Sequence, residues 1–286
     1  MSIVVENLSY TYMPKTPYRT TALKDITFTV NEGEFVGLIG ATGSGKSTLI
    51  QHFNGLIKLA DGRLTVFDFD LSAKKINYKA LRKGIGMLFQ YPEYQLFEET
   101  VLKDIMFGPK NFGMSKEEAY ESAKRAIELV GLDFEEIKDR SPFEISGGEK
   151  RRVAIAGVLA YKPKALILDE PTAGLDPSGK KEILELITKL KKSDAVSTII
   201  MISHNMDEIA AYAERIIVLN NSRLIYDLPP KELFKKDDLQ EMGLDLPITV
   251  KIKNALAQRG MVLDTDALTA EELVAAIKQK IRGNNG

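Results

Sequence analysis

The residues best suited to chemistry stand close together as Gly40-Ala41-Thr42-Gly43-Ser44-Gly45-Lys46-Ser47, which fits the pattern G-x-x-x-x-G-K-[ST]. Glycines let a backbone curl until successive N–H groups point at phosphate oxygens, and a helix start adds partial positive charge. In such a loop Lys46 reaches the β- and γ-phosphates and the Ser47 hydroxyl sits on Mg²⁺. A second candidate is the apolar run Ala165-Leu166-Ile167-Leu168 ending in Asp169-Glu170. One carboxylate at the end of a strand can hold Mg²⁺, and its neighbour can orient or deprotonate an attacking water. A third is Ile145-Ser146-Gly147-Gly148-Glu149-Lys150-Arg151-Arg152, ahead of the apolar pattern Val153, Ile155, Ala156, Val158 and Leu159. Ser-Gly-Gly at a helix start is an anion-binding arrangement, and read alone it is equally an ordinary N-cap with a solvated basic turn.

These groups need elements to hold them. Glu34 to Ile39 reads as a strand entering the glycine loop, and Ser47 to Leu56 as the helix leaving it. Residues 3–10 and 26–30 read as earlier strands, with Pro14 and Pro17 marking an irregular excursion between them. Apolar runs at Ile85–Phe89, Ala165–Leu168, Thr198–Ile202 and Arg215–Leu219 have the rhythm of buried parallel strands with crossover helices. Between Phe89 and Ala165 a mostly helical lobe interrupts them, in which Ser115 and Glu118 form a capping box and Gly131 closes the helix. After Asp227, Pro229-Pro230 opens a small appendage. Its last helix is capped by Thr269 and Glu272, with Leu273, Val274, Ile277 and Ile281 expected on one stripe and residues 283–286 expected to fray.

Composition narrows the function classes. The 286 residues are 44% hydrophobic and 28% charged, which fits a globular chain and excludes collagen-like or disordered classes. Lys plus Arg (39) nearly balances Asp plus Glu (40), so no global field draws the chain to nucleic acid. The absence of cysteine excludes disulfide scaffolds, thiolate catalysis and Cys-ligated metals. The longest stretch without Asp, Glu, Lys or Arg is the twelve residues Ala195–Met206, against the ~20 apolar residues of a spanning helix. No secretory signal is visible at the start.

The order of these motifs over residues 3–228 resembles the ATP-binding cassette (ABC) ATPases. The matching positions are the phosphate loop Gly40–Ser47, running on to Thr48, a glutamine loop at Gln90, and a signature at Ser146-Gly147-Gly148 with Glu149. They continue with the strand ending in Asp169-Glu170, the loop Ala173-Gly174-Leu175-Asp176, and a switch histidine, His204, in Ile202-Ser203-His204. The resemblance implies an α/β, P-loop NTPase fold: a RecA-like, mostly parallel sheet with an antiparallel β subdomain and an inserted helical signature subdomain at about 92–163. Residues 1–228 would then be the ATPase domain and 229–286 a mostly helical appendage. It further implies ATP and Mg²⁺ as ligands. Ser47, Gln90 and Asp169 would meet the metal, Lys46 the phosphates, Glu170 the attacking water, His204 the γ-phosphate, and Tyr12 would stack on adenine. His52 is read as structural. Two departures stand out, since the family's usual signature begins with Leu and ends with Gln, where this chain has Ile145 and Glu149. The extra charge at Glu149 is expected to be compensated by Lys150, Arg151 and Arg152.

A narrower resemblance rests on Tyr91-Pro92-Glu93-Tyr94-Gln95-Leu96-Phe97-Glu98-Glu99 after Gln90 and on the insertion Tyr12 to Tyr18. Both are similar to the ATPases of energy-coupling-factor transporters, bacterial and archaeal importers of vitamins and of cobalt or nickel ions. That resemblance implies a second, paralogous ATPase subunit, a transmembrane coupling protein and a substrate-binding membrane protein as partners. It implies no nucleic-acid partner and a peripheral place on the cytoplasmic face of the membrane. Glu93, Glu98 and Glu99 are candidates to receive basic helices of the coupling protein. The alternative is a soluble ABC-type ATPase acting on nucleic acid or ribosomes.

Overall fold

The computed structural model describes residues 2–193 and 195–283, so Asn284–Gly286, expected to fray, lie outside the described residues. Ten strands form two sheets: β1 (Ile3–Tyr12), β2 (Thr20–Val30), β3 (Phe35–Ile39), β4 (Asp61–Val66), β5 (Phe69–Asp70), β6 (Ile85–Leu88), β7 (Ala165–Asp169), β8 (Thr198–Ile202), β9 (Arg215–Asn220) and β10 (Arg223–Leu228). The first sheet is antiparallel, in the order β2-β1-β4-β5. The second has the order β10-β9-β3-β8-β7-β6 and is parallel from β9 to β6, with only β10 antiparallel at its edge. This is the mixed α/β architecture of a P-loop NTPase, with the antiparallel sheet beside the parallel one.

Strands β3 and β8 at the centre and β6 at the edge are buried along their whole length, which is why they read as continuous apolar runs rather than alternating ones. In the antiparallel sheet, β2 carries the burial pattern of a half-covered surface, exposed Thr20 and Thr21 giving way to buried Ile26, Phe28 and Val30. The strands expected at 3–10 and 26–30 are longer than local sequence suggests, because β1 and β2 pair through three register shifts up to Tyr12↔Thr20. Strands β4 and β5 are short, β4 alternating buried Leu64 and Val66 with Thr65; β4 pairs with β1 and β5 with β4.

Helices Val101–Asn111, Lys116–Leu129 and Gly147–Leu159 pack together and share one apolar cluster with the parallel sheet. Ser115 and Glu118 close the expected capping box. In the appendage Leu273 is buried and Ile277 packs beside it against Leu263 and Ala267. Val274 and Ile281, expected on the same stripe, are exposed. The last helix, Ala270–Gly283, meets its neighbours along a narrower band than its apolar residues offer. Among the described residues no helix is long and apolar enough to cross a membrane.

Candidate functional site

Parallel pairing places the C-terminal ends of β3, β8, β7 and β6 on one edge of the sheet, where open α/β sheets bind their ligands. The glycine loop leaves β3, Ser203-His204 leaves β8, Asp169-Glu170 ends β7, and Gln90 follows β6. At ~4.8 Å per strand, β3 and β7 stand ~10 Å apart with the histidine segment between them, a span suited to a triphosphate.

The loop conformation depends on its glycines at two positions. A Cβ at Gly40 would lie 2.2 Å from the Leu219 carbonyl oxygen and 2.5 Å from Ser44 Oγ, and at Gly45 (φ +108°) 2.3 Å from the Ala22 carbonyl oxygen. Gly45 also caps the helix Lys46–Phe53 without a side-chain bond, so its first N–H groups have no side-chain acceptor. Lys46 is buried, and its Nζ donates to the Gly40 carbonyl (2.7 Å) and the Ala41 carbonyl (3.1 Å). Burial pulls its ammonium below the usual value, against the nearby charges of Glu170 and Asp169 that hold it up. Ser44 Oγ is buried with no hydrogen-bond partner among the described residues, whereas Thr42, Gly43 and Ser47 are exposed.

The acids differ in setting. Asp169 is raised by burial and held down by Lys46. Glu170 is bent into the left-handed region (φ +51°), its N–H donating to the Ile202 carbonyl at 3.0 Å. That conformation is uncommon for a non-glycine residue and turns the side chain off the strand line. Glu170 Oε1 is buried without a hydrogen-bond partner among the described residues and lies 3.5 Å from His204 Nε2. Burial first, then the charges of Asp169 and Glu208, push its carboxyl up to about 7, with Lys46 and the His204 backbone opposing. His204, its side chain 55% exposed, is lowered by the partial burial of its ring and by Lys46, which favours neutral imidazole.

Tyr12 ends β1 half-exposed, and its hydroxyl lies 3.1 Å from Thr48 Oγ1. A cleft of ≈ 250 Å³ is lined by Tyr12, Thr20, Ala22, Gly45, Lys46 and Ser47. His52 is fully buried, with Nδ1 2.7 Å from the Thr48 carbonyl oxygen, a packing role in the helix behind the loop.

The signature segment lies apart. Ser146 caps the helix Gly147–Leu159, and with Glu149 it closes a capping box, Ser146 N–H to Glu149 Oε2 at 2.8 Å and Glu149 N–H to Ser146 Oγ at 3.3 Å. Ser146, Gly147 and Gly148 are exposed, and among the described residues no hydrogen bond or ion pair joins Ser146–Glu149 to Gly40–Ser47. Ile145 is buried in the core, so it meets the packing demand of leucine. The charge of Glu149 is met by Arg140 at 3.6 Å and by its bonds to Ser146, which hold its carboxyl low. The expected compensation by the following basic residues is corrected here: Arg151 pairs with Glu93 and Arg152 with Glu182. The same pairing takes Glu93 out of the acidic cluster proposed for a partner, and Glu99 is bound to Lys103.

Gln90 is exposed after β6. Next to it Tyr91 (φ +56°) reaches Gly174, where a Cβ would meet its ring at 3.2 Å. Sequence reading missed Glu208, a buried carboxylate accepting from Thr172 Oγ1 (2.8 Å), Ser203 Oγ (3.0 Å) and Asn205 Nδ2 (3.2 Å). The pattern Asn205-x-x-Glu208 announces a helix start, and Asn205 does cap one, but Glu208 turns inward to link the loop after Glu170 to the histidine segment.

Mg²⁺ prefers one or two carboxylates, with water and substrate phosphate completing its shell. Ser47 and Asp169 offer hard oxygen donors, and no group of three or more His, Cys, Asp or Glu that could hold a metal by itself occurs among the described residues. The donors therefore fit an ion shared with phosphates.

Comparison with known proteins agrees with this geometry. Residues 23–173 match the family model "ABC transporter", and residues 247–281 match "Energy-coupling factor transporter EcfA1 C-terminal domain". The chain is 51% identical over 284 residues, 99% of both chains, to the energy-coupling factor transporter ATP-binding protein EcfA2 of Caldanaerobacter subterraneus subsp. tengcongensis. Among solved structures it is similar to cbiO1 from Clostridium perfringens, described as part of the ABC transporter complex cbiONQ. That match has a TM-score of 0.73 and 38% identity, and covers 88% of this chain and 98% of that one. It is also similar to the dimeric ATP-binding cassette MJ0796 in a post-hydrolysis state bound to ADP and Pi, with a TM-score of 0.70 and 28% identity, covering 80% and 98%. The chain belongs to the ABC transporter family, within its energy-coupling factor ATP-binding proteins.

Proposed function

We propose that this chain is the ATP-hydrolysing subunit of an energy-coupling-factor importer and that Lys46, Asp169, Glu170 and His204 perform its chemistry. The observation that carries the reading is the convergence of an ammonium, two carboxylates and an imidazole on one sheet edge beside a helix start whose N–H groups are free for phosphate. Phosphoryl transfer needs little covalent help, and positioning with charge neutralisation does most of the work.

Backbone N–H groups of Gly40–Ser47, running on to Thr48, cradle the β- and γ-phosphates of ATP, and Lys46 leaves its carbonyl partners to neutralise them. Tyr12, at the mouth of the cleft, presents its ring to adenine. Ser47, Asp169 and Gln90 would hold Mg²⁺, which would supply neutralisation of the phosphate charge. Glu170 orients the attacking water and takes its proton. Its buried Oε1, without a donor, is free for a water hydrogen, and its raised affinity for protons suits a base working near neutrality. His204 holds the water and the γ-phosphate in line from the adjacent strand.

Ser146, Gly147 and Gly148, with the Glu149 backbone, close on the nucleotide of a second ATPase subunit, a paralogous chain. The exposure of the segment supports this reading, and the MJ0796 cassette is described as a dimer. Residues 1–228 act as the ATPase domain, with 92–163 as its helical part and 229–286 as an appendage; its end has a separate apolar cluster of Leu263, Ala267 and Leu273, whereas Leu233, Phe234, Leu239 and Leu244 dock it into the main core. A transmembrane coupling protein and a substrate-binding membrane protein complete transport of a vitamin or transition-metal ion, with this chain peripheral on the cytoplasmic face. The names of the relatives favour this reading over an ATPase working on nucleic acid or ribosomes. The test is phosphate release from Mg-ATP by the chain with its partners: Glu170→Gln should abolish it while ATP binding survives, and unchanged release would remove Glu170 from the mechanism.

A further inference from the structure

We propose that Arg151 is a positioning residue that ties the turn after Gln90 to the loop after Glu170, so that a load on the turn is felt at the catalytic carboxylate. The proposal rests on the reading of Glu170 given above. Arg151 lies on the signature helix Gly147–Leu159 and is 1% exposed. A guanidinium has five N–H donors, and a buried one is stable only when they are met. Here Nε donates to Glu93 Oε2 (3.2 Å), and NH2 to Glu93 Oε1 and Oε2 (both 3.0 Å). NH1 donates to the Pro171 carbonyl (2.6 Å) and the Ala173 carbonyl (3.1 Å).

These acceptors belong to two different segments. Glu93 sits in the short turn Pro92–Gln95, whose outer side carries the exposed ring of Tyr94. Pro171 and Ala173 follow Glu170 directly, and the Ala173 N–H closes that turn on the Glu170 carbonyl at 3.1 Å. Tyr91 against Gly174 makes a second contact between the same two segments. The planar guanidinium has no slack: moving Glu93 either drags the fork or strips a buried cation of its carboxylate, and the second course is costly. A lysine, with one ammonium on a flexible stem, cannot reach both sides at once.

The experiment uses the full chain assembled with its partner subunits and reads amide hydrogen exchange together with the ATP dependence of turnover. In Glu93→Gln, exchange over residues 170–175 should rise although the substitution lies elsewhere in the sequence, and kcat should fall about tenfold with KM for ATP unchanged. Arg151→Lys and Arg151→Met should reproduce that split, and Arg151→Met/Glu93→Gln should lose no more than either single variant. A change in exchange confined to 91–97, or losses in kcat that multiply in the double variant, would overturn the relay. If Arg151→Met does not fold, Glu93→Gln and Arg151→Lys decide. If Glu170→Gln retains turnover, the reading of Glu170 fails, and the exchange pattern still decides whether the two segments are linked.

Discussion

The phosphate-loop edge and the signature segment are both glycine-rich helix starts in one chain, yet they are built in opposite ways. At the first, Lys46 is buried, Glu170 is desolvated with the half-exposed His204 beside it, and Gly40 and Gly45 sit where no Cβ fits. At the second, Gly147 and Gly148 have nothing within 4 Å of an added Cβ, Ser146 satisfies its own helix, and the surface is open. A desolvated cluster of charges is a finished half-site, because each group already feels its neighbours. An exposed, self-capped helix start is a surface prepared for another chain. The difference supports the proposal that two subunits complete the site by association.

That contrast can be broken at several points. The largest effect is expected on the finished side. Glu170→Gln should lower turnover by about 10²–10⁴-fold, read as phosphate release, with nucleotide binding intact by fluorescence titration. Gly45→Ala follows, since its Cβ would strike the Ala22 carbonyl at 2.3 Å. It should destabilise the chain by about 3 kcal/mol, in the range of a severe steric and backbone clash, and weaken ATP binding, both visible in thermal melts with and without nucleotide. On the open side, Ser146→Ala removes the cap and should cost about 1 kcal/mol of stability, small beside its loss of turnover in the assembled pair. The smallest effect is Glu149→Gln, which preserves the capping box and loses only the exposed pair with Arg140. Its stability change should stay within about 0.5 kcal/mol in denaturant melts, and a larger one would show that the charge itself is structural.

Sequence revealed whatever is local. The phosphate loop, the Asp169-Glu170 strand end and the capping boxes Ser115–Glu118 and Thr269–Glu272 are set by spacings of a few residues, and the buried parallel strands by unbroken apolar runs. What it hid is set by topology. Arg151 reads as one of three solvated basic residues, although its place four residues before buried Ile155 puts it on the inner face of the helix. Its partner Glu93 lies 58 residues away, and no local pattern joins them. Thr172 and Glu208 meet across 36 residues for the same reason. The hairpin β4–β5 went unread because β4 opens on the turn-forming pair Asp61-Gly62 and β5 is two residues long, and Val274 and Ile281 were placed on a stripe that the appendage does not bury. Periodicity says which residues can face a core, and only packing decides how wide that core is.

The claim that the two regions complete each other between chains is tested most directly by phosphate release per chain across a dilution series. The account predicts that release per chain falls on dilution and is restored by adding the paralogous ATPase subunit with its phosphate-loop lysine changed to alanine, which keeps an intact signature but cannot turn over ATP itself. Release per chain that stays constant on dilution, and is indifferent to the added chain, would contradict it.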